Sequence, residues 1–260
     1  MSARTRTLAV CTALVLALLV AVALVPLPYS VAYPGMTANV LGRDKGKPVI
    51  TITGAGTRRT AGQLRMTSIV ATGPDASVHL SDILRAWFRT DEAAMPREAV
   101  YPVGGSTEEI AEHNARQMRQ SQDSATAAAL DRLGRSPKDI KVKLSLADVG
   151  GPSAGLMFAL GIVDKLSGSG KGGDLTGGRT IAGTGTIAAD GKVGAVGGVA
   201  LKTQAAHRDG ATVFLVPKAE CADARAELPK GMRLVPVTTL DGAVKALTAL
   251  QTKGAPVPSC

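Results

Sequence analysis

The apolar stretch near the N-terminus limits what this chain can fold into more than any other feature. From Leu8 to Val25 no side chain is charged. As an α-helix this stretch rises by about 27 Å, close to the thickness of a bilayer's hydrocarbon core. Arg4 and Arg6 precede it and no basic residue follows closely, which predicts a cytoplasmic N-terminus with the remaining chain outside. The other interpretation is a cleaved signal peptide, since Ala21-Val22-Ala23 resembles a cleavage site. That triplet lies inside the apolar stretch, which favours a retained membrane anchor.

Composition places the rest of the chain among globular proteins. Apolar residues make up 45% of the sequence and there are 30 glycines, which suits one α/β domain with glycine turns. Aromatic residues make up only 3%, and the basic residues behind the formal charge of +9 are scattered. Nucleic-acid binding needs basic clusters and aromatic side chains on which bases stack. The sequence therefore argues against a nucleic-acid partner and indicates a solvated basic surface, with weak attraction to an anionic membrane left open.

Strand and helix patterns alternate from Lys141 onward, which predicts an α/β or α+β fold. The predicted strands are residues 49–53, 65–70, 141–146, 180–187, 212–216 and 233–237. The predicted helices are residues 81–89, 106–133, 153–166, 199–207 and 240–250. The predicted helix caps are Ser81, Ser106 in a capping box with Glu109, and Thr238 or Thr239.

One hexapeptide places a serine at the start of an apolar helix. Gly150 to Gly155 leads directly into that helix and contains Ser153. At a helix start, free backbone N–H groups and the positive end of the helix dipole can stabilise an oxyanion that forms near a nucleophilic hydroxyl. The candidate donors here are the N–H groups of Gly151 to Ala154. The structural alternative is that Ser153 only caps the helix after a glycine turn.

A serine nucleophile needs a base. The three histidines, His79, His113 and His207, stand in no recognisable triad context. A lysine can replace histidine if burial lowers its pKa, and Lys202 has unusually apolar and small neighbours. The alternative is a lysine that extends to solvent from an ordinary amphipathic helix.

These residues occur in blocks that resemble the catalytic domain of the Lon peptidase family. The blocks, in order along the chain, are Gly151-Pro152-Ser153-Ala154-Gly155, Thr184-Gly185-Thr186-Ile187, Gly197-Gly198 followed by Lys202, Ala205-Ala206-His207-Arg208, and Val213 to Pro217. The resemblance implies a Lon-type catalytic domain in which Ser153 is the nucleophile, Lys202 is its base and Thr184 supports the lysine.

The chain is most similar to bacterial membrane-anchored Lon-like peptidases that carry a PDZ domain. The anchor, the stretches around Trp87 and around residues 96–102, and the sequence that follows Ser153 carry this similarity. Two features depart from the family. Only Gly134 to Ile140 separate the predicted long helix from the next strand, so the PDZ domain is expected to be missing. Lon itself typically has an acidic residue where this chain has Gly150, and the nearby Asp148 is out of register.

The resemblance predicts an ATP-independent serine endopeptidase that cleaves unfolded or flexible segments outside the cytoplasm. Neither Gly170-Lys171-Gly172 nor Gly191-Lys192-Val193 completes a phosphate-binding loop. The histidine and cysteine spacings fit no metal site, so no cofactor and no metal are predicted. The rival functions are a catalytically idle Lon-like scaffold that binds partners at the membrane, and a protein that binds membranes through its basic charge.

The predicted organisation has four parts. Residues 1–30 form a cytoplasmic tip and transmembrane anchor, 31–140 an extracytoplasmic region with a long helix, 141–250 the Lon-like proteolytic domain, and 251–260 a tail. Cys221 and Cys260 would both lie outside, where a disulfide can persist. Whether these two cysteines pair, and whether the chain forms a homo-oligomer, stay open.

Overall fold

The computed structural model describes residues 2–101, 106–146, 151–170 and 172–260. The chain divides into two compact units. Unit 1 contains residues 1–33 and 71–104, and unit 2 contains residues 34–70 and 105–260. The boundary at Tyr33 and Pro34 falls within one strand.

Five described strands follow the first helix, and strands and helices are interleaved from Lys141 onward as the sequence pattern predicts. The helices are α1 Ala3–Leu24, α2 Leu80–Trp87, α3 Arg97–Val100, α4 Thr107–Arg132, α5 Gly155–Leu166, α6 Val199–Arg208, α7 Cys221–Ala226 and α8 Leu240–Leu250, with a 3-10 turn at Lys218–Glu220. The strands are β1 Tyr29–Asn39, β2 Arg43–Asp44, β3 Lys47–Pro48, β4 Ile50–Thr53, β5 Gln63–Ala71, β6 Ala93–Pro96, β7 Lys141–Leu144, β8 Thr180–Gly183, β9 Thr186–Ile187, β10 Val193–Gly194, β11 Val213–Pro217 and β12 Arg233–Val237.

Unit 1 contains α1, the first part of β1, α2, β6 and α3. β6 pairs antiparallel with the start of β1 from Tyr29 to Ala32. A small core forms from Val31, Val78 and Ala86. Among the described residues, α1 alone is long and apolar enough to cross a membrane, and none of it is buried.

Unit 2 is built on parallel strands. The order is β12, β11, β8 and β5, with the second part of β1 beyond β5. β11 runs parallel to both β12 and β8, and β5 runs parallel to β8. Three antiparallel pairs of described strands, β2 with β3, β4 with β7 and β9 with β10, lie outside this sheet.

α5 is the central helix of unit 2. Its residues from Gly155 to Asp164 are all buried. A helix that is apolar on every side has no face for solvent and therefore packs inside a domain. It packs against α4 and α8 and contributes to the main hydrophobic core.

The structure confirms the predicted mixed α/β class and most of the predicted elements. It also confirms the capping box at α4, where the Ser106 hydroxyl accepts from Glu109 N and the Glu109 carboxylate accepts from Ser106 N. The predicted cap Ser81 is wrong, because His79 caps α2 and Asp82 completes that capping box. β1 was not predicted from the sequence.

Two further boundaries differ from the predictions. α5 begins at Gly155, so Ser153 lies in the turn before the helix. The predicted strand 180–187 is two strands, because the chain leaves the sheet at Thr184 and Gly185. Residues 34–70 and 105–140 belong to the same compact unit as residues 141–250.

Candidate active site

Ser153 lies in a short turn that α4 holds at two points. The Ser121 hydroxyl donates to the carbonyl oxygen of Pro152 at 2.9 Å, and the N–H of Gly151 donates to the carbonyl oxygen of Asn114 at 3.3 Å. Asn114 and Ser121 are seven residues apart on α4, so they lie on the same face of that helix. Gly151 has φ +82°, a conformation that a side chain would strain. The half-buried Ser153 hydroxyl has no hydrogen-bond partner within the described part of the chain.

Gly155 lets α4, α5 and β9 approach closely beside this turn. A Cβ atom at Gly155 would lie 2.9 Å from the Ser121 hydroxyl and 2.9 Å from Cγ2 of Ile187. Such distances are shorter than ordinary van der Waals contact. Close packing of these three elements therefore explains why residue 155 is a glycine, independently of any need for substrate access.

A chain of hydrogen bonds connects Lys202 to the backbone of Ser153. Lys202 Nζ donates to Thr184 Oγ1 at 3.2 Å, and Thr184 Oγ1 donates to the carbonyl oxygen of Ser153 at 3.3 Å. The N–H of Gly185 donates to the same carbonyl oxygen at 2.9 Å. The structure thus brings Ser153, Thr184 and Lys202 into one cluster, although they are far apart in the sequence.

Lys202 is buried in the wall of this cluster. Only 3% of the residue is exposed, and Thr184 is fully buried. Burial disfavours the charged amine and lowers the pKa of Lys202 to about 8, while the negative charges of Asp223 and Glu220 act in the opposite direction. A lysine with this pKa is partly neutral near neutral pH and can accept a proton.

The paired glycines and α7 together fix the start of the helix that carries Lys202. Gly198 precedes α6 with φ +66°, and a Cβ there would lie 3.1 Å from Cγ2 of Ile69. The Asp223 carboxylate accepts a hydrogen bond from Val199 N at 2.9 Å, at the first residue of α6. Asp223 was missed from the sequence. Its only signal is an acidic residue in a short helix after β11, which is too common to single out.

The backbone N–H groups near Ser153 differ in availability. Gly151 N–H is directed to α4, whereas the N–H groups of Ser153 and Ala154 have no acceptor among the residues described. Helix starts leave such groups free for an anion. Gly150 and Asp148, both weighed from the sequence, lie outside the described residues.

A polar cleft opens beside the serine turn. Its volume is about 210 Å³, and Pro152 forms part of its wall. Gln117, Gln120 and Ser124 of α4 line one side and Thr186 of β9 lines the other. The cleft could therefore hold a substrate side chain next to the serine.

Comparison with known proteins agrees with this geometry. The family model of the Lon protease (S16) C-terminal proteolytic domain matches residues 100–250, more than half of the chain. The chain belongs to the Lon protease family. Its Lon domain contains Ser153, Thr184 and Lys202 within the matched range, and this family assignment supports serine peptidase activity.

The chain is also similar to a curated relative, Lon protease 1 of Myxococcus xanthus. The two are 29% identical over 168 residues, which cover 62% of this chain and 20% of the relative. The chain therefore aligns with about a fifth of that protein. In this Lon-family chain only residues 133–140 separate α4 from β7, so no PDZ domain is inserted there.

The sequence left open whether Cys221 and Cys260 pair. The Cα atoms of Cys221 and Cys260 lie 5.5 Å apart, within the range for a disulfide. Within the described residues no group of three or more His, Cys, Asp or Glu side chains could hold a metal ion.

Proposed function

We propose that this chain is a membrane-anchored serine endopeptidase that works without ATP, with Ser153 as nucleophile and Lys202 as general base. The hydrogen-bonded cluster of buried Lys202, Thr184 and the Ser153 backbone, inside a Lon proteolytic domain, carries the proposal. Burial gives this lysine the lowered pKa that a general base needs.

The proposed reaction begins with neutral Lys202. One N–H of the amine donates to Thr184 Oγ1, which limits rotation of Nζ and leaves its lone pair for the Ser153 hydroxyl proton. Ser153 Oγ attacks the peptide carbonyl carbon as Lys202 takes that proton. The N–H groups of Ser153 and Ala154 stabilise the oxyanion. Lys202 passes the proton to the leaving amine, and water then hydrolyses the acyl-enzyme with Lys202 again as base.

The proposed substrates are unfolded or flexible protein segments. No glycine loop in the sequence completes a phosphate-binding motif, so no residue of this chain is assigned to ATP hydrolysis. Without a motor nothing pulls folded substrates apart. The polar cleft next to Pro152 would take a substrate residue adjacent to the scissile bond.

The proposed location is the extracytoplasmic side of a membrane, with α1 as the anchor. Helix α1 is fully exposed and follows the positive-inside pattern, with arginines at its start. The approach of Cys221 to Cys260 supports a disulfide between them, and disulfides persist outside the cytoplasm.

The test uses the full-length chain in detergent and an unfolded, fluorescently labelled protein as substrate. Ser153→Ala and Lys202→Ala should each lower cleavage by at least a thousandfold, since the two side chains act as one unit. Lys192→Ala is the matched control, because Lys192 is exposed and its amine pairs, among the described side chains, with Asp190 on the surface. Added ATP and Mg²⁺ should leave the rate unchanged.

A catalytically idle scaffold is the rival that this experiment must separate. A fluorophosphonate probe should label Ser153 in the parent, and Lys202→Ala should slow that labelling strongly. Equal cleavage by the parent and by Ser153→Ala would refute the assignment. Absence of both cleavage and labelling in the parent would favour the scaffold.

A further inference from the structure

α2 has a second apolar face that nothing in unit 1 covers. Trp87 is 81% exposed and Phe88 is 84% exposed, the highest values among the large apolar residues described. Leu84, 52% exposed, lies three and four residues before them, so the three side chains lie on one side of the helix. We refer to these three residues as the α2 apolar face.

The opposite side of α2 is already packed. Ala86 is buried with Val31 and Val78, and Ile83 packs against the same small core. The helix therefore keeps its fold through one face and presents another apolar face to its surroundings. A soluble surface rarely carries two adjacent aromatic side chains that are so fully exposed.

The position of α2 within unit 1 indicates what covers this face. α1 ends at Leu24, and the N–H of Leu27 donates to the carbonyl oxygen of Val78 at 2.7 Å, two residues before α2 begins. α1 and α2 are also in contact. A chain spans at most about 3.6 Å per residue, so these short connections keep α2 near the point where α1 ends. With α1 as the proposed anchor, the end of α1 leaves the hydrocarbon core and α2 falls at the level of the lipid headgroups.

The side chains of the α2 apolar face are of the types that are found at the headgroup level of a membrane. Tryptophan is enriched at the membrane interface, because its ring is apolar and its N–H can bond to water or headgroups. The charged residues beside the face already have partners, since Arg85 pairs with Glu92 and Arg89 with Asp91. Attraction to the membrane would therefore come from the apolar side chains and depend little on salt.

We propose that the α2 apolar face inserts into the interface of the same bilayer that α1 spans. Unit 1 then holds the membrane at two places, the transmembrane helix and α2, which limits its tilt on the membrane surface. The inference rests on the anchor role proposed for α1 and is independent of the peptidase activity.

The test uses the fluorescence of Trp87 in the full-length chain reconstituted into vesicles. The sequence contains one tryptophan, so the signal reports on α2 without engineering. We expect emission at shorter wavelength than in urea, protection from acrylamide, and quenching by lipids brominated near the top of the acyl chains. Molar salt should not change these results.

Two substitutions sharpen the experiment. Phe88→Asp should reduce bromolipid quenching of Trp87 several-fold, because a charge opposes insertion of the face. Val70→Asp is the matched control, since Val70 is 57% exposed in unit 2, and it should leave the quenching unchanged.

Each contrary result has a separate meaning. Release of the chain from vesicles by an alkaline wash would overturn the anchor role of α1, and the α2 proposal with it. A retained chain whose Trp87 is open to acrylamide would overturn the α2 proposal alone. Protection of Trp87 that depends on protein concentration, without bromolipid quenching, would also overturn it and assign the face to a second copy of the chain.

Discussion

Peptidase activity should rise about tenfold between pH 7 and pH 9. With the pKa of Lys202 at about 8, about one amine in ten is neutral at pH 7 and about nine in ten at pH 9. An unperturbed lysine with a pKa of 10.5 would be neutral in only about one molecule in three thousand at pH 7. Burial of Lys202 thus accounts for roughly a 300-fold gain in available base at pH 7.

Removing one nearby negative charge should move this pH profile. The carboxylate of Asp223 raises the pKa of Lys202, so Asp223→Asn should lower it and shift the rising limb to lower pH. The asparagine amide oxygen can still accept from Val199 N, which keeps the start of α6 capped. Activity at pH 7 should increase, by less than tenfold, because the neutral fraction cannot exceed one. At pH 9.5 the variant and the parent should be equal.

The assay measures initial rates on a fluorogenic unfolded substrate from pH 6 to pH 10. Glu227→Gln removes an exposed negative charge beyond the end of α7 and serves as the matched control. Asp223→Ala, which loses the cap as well as the charge, should lower activity at every pH. The assignment of Lys202 as the titrating base would be refuted if the activity of the parent did not change with pH. It would also be refuted if Asp223→Asn did not shift the rise in activity to lower pH.

Four further results are expected. Gly155→Ala should lower peptidase activity at least tenfold and should also lower the melting temperature, because the added Cβ would clash with α4 and β9. Gly56→Ala is the control and should change neither quantity, because Gly56 has open space around it. Ser124→Leu should fill part of the polar cleft and change which bonds are cut, as read by mass spectrometry of the products, while probe labelling of the nucleophile persists. Burial raises the pKa of Asp164 to about 6, so the carboxyl becomes charged inside the fold as pH rises through 6, and this ionisation lowers the stability of the fold. Asp164→Asn should therefore raise the melting temperature at pH 7.5 but not at pH 4. Cys260→Ser should speed amide hydrogen exchange in α7 without changing it in α4. More than one free thiol in the denatured parent, beyond that of Cys11, would contradict the disulfide.

The local sequence pattern was sufficient to predict those elements that depend little on the rest of the fold. The uncharged stretch up to Val25 can satisfy its backbone in an apolar solvent only as a helix, and α1 runs to Leu24. The α4 capping box is local chemistry, and both of its hydrogen bonds are present. The cap of α2 was misassigned, because Ser81 is the residue type that helix starts favour locally, whereas the Asp82 carboxylate accepts from His79 N and the helix begins at Leu80.

For the candidate site, the sequence by itself determined the family and predicted Ser153, Thr184 and Lys202 as its residues, because short motifs in order carry that information. Only the tertiary structure decided what surrounds them. Ser121 supports the turn at Pro152, and Asp223 caps the start of α6. The physical reason is that residue type and periodicity are local properties of a chain, whereas burial, charge proximity and pKa depend on segments that meet only after folding.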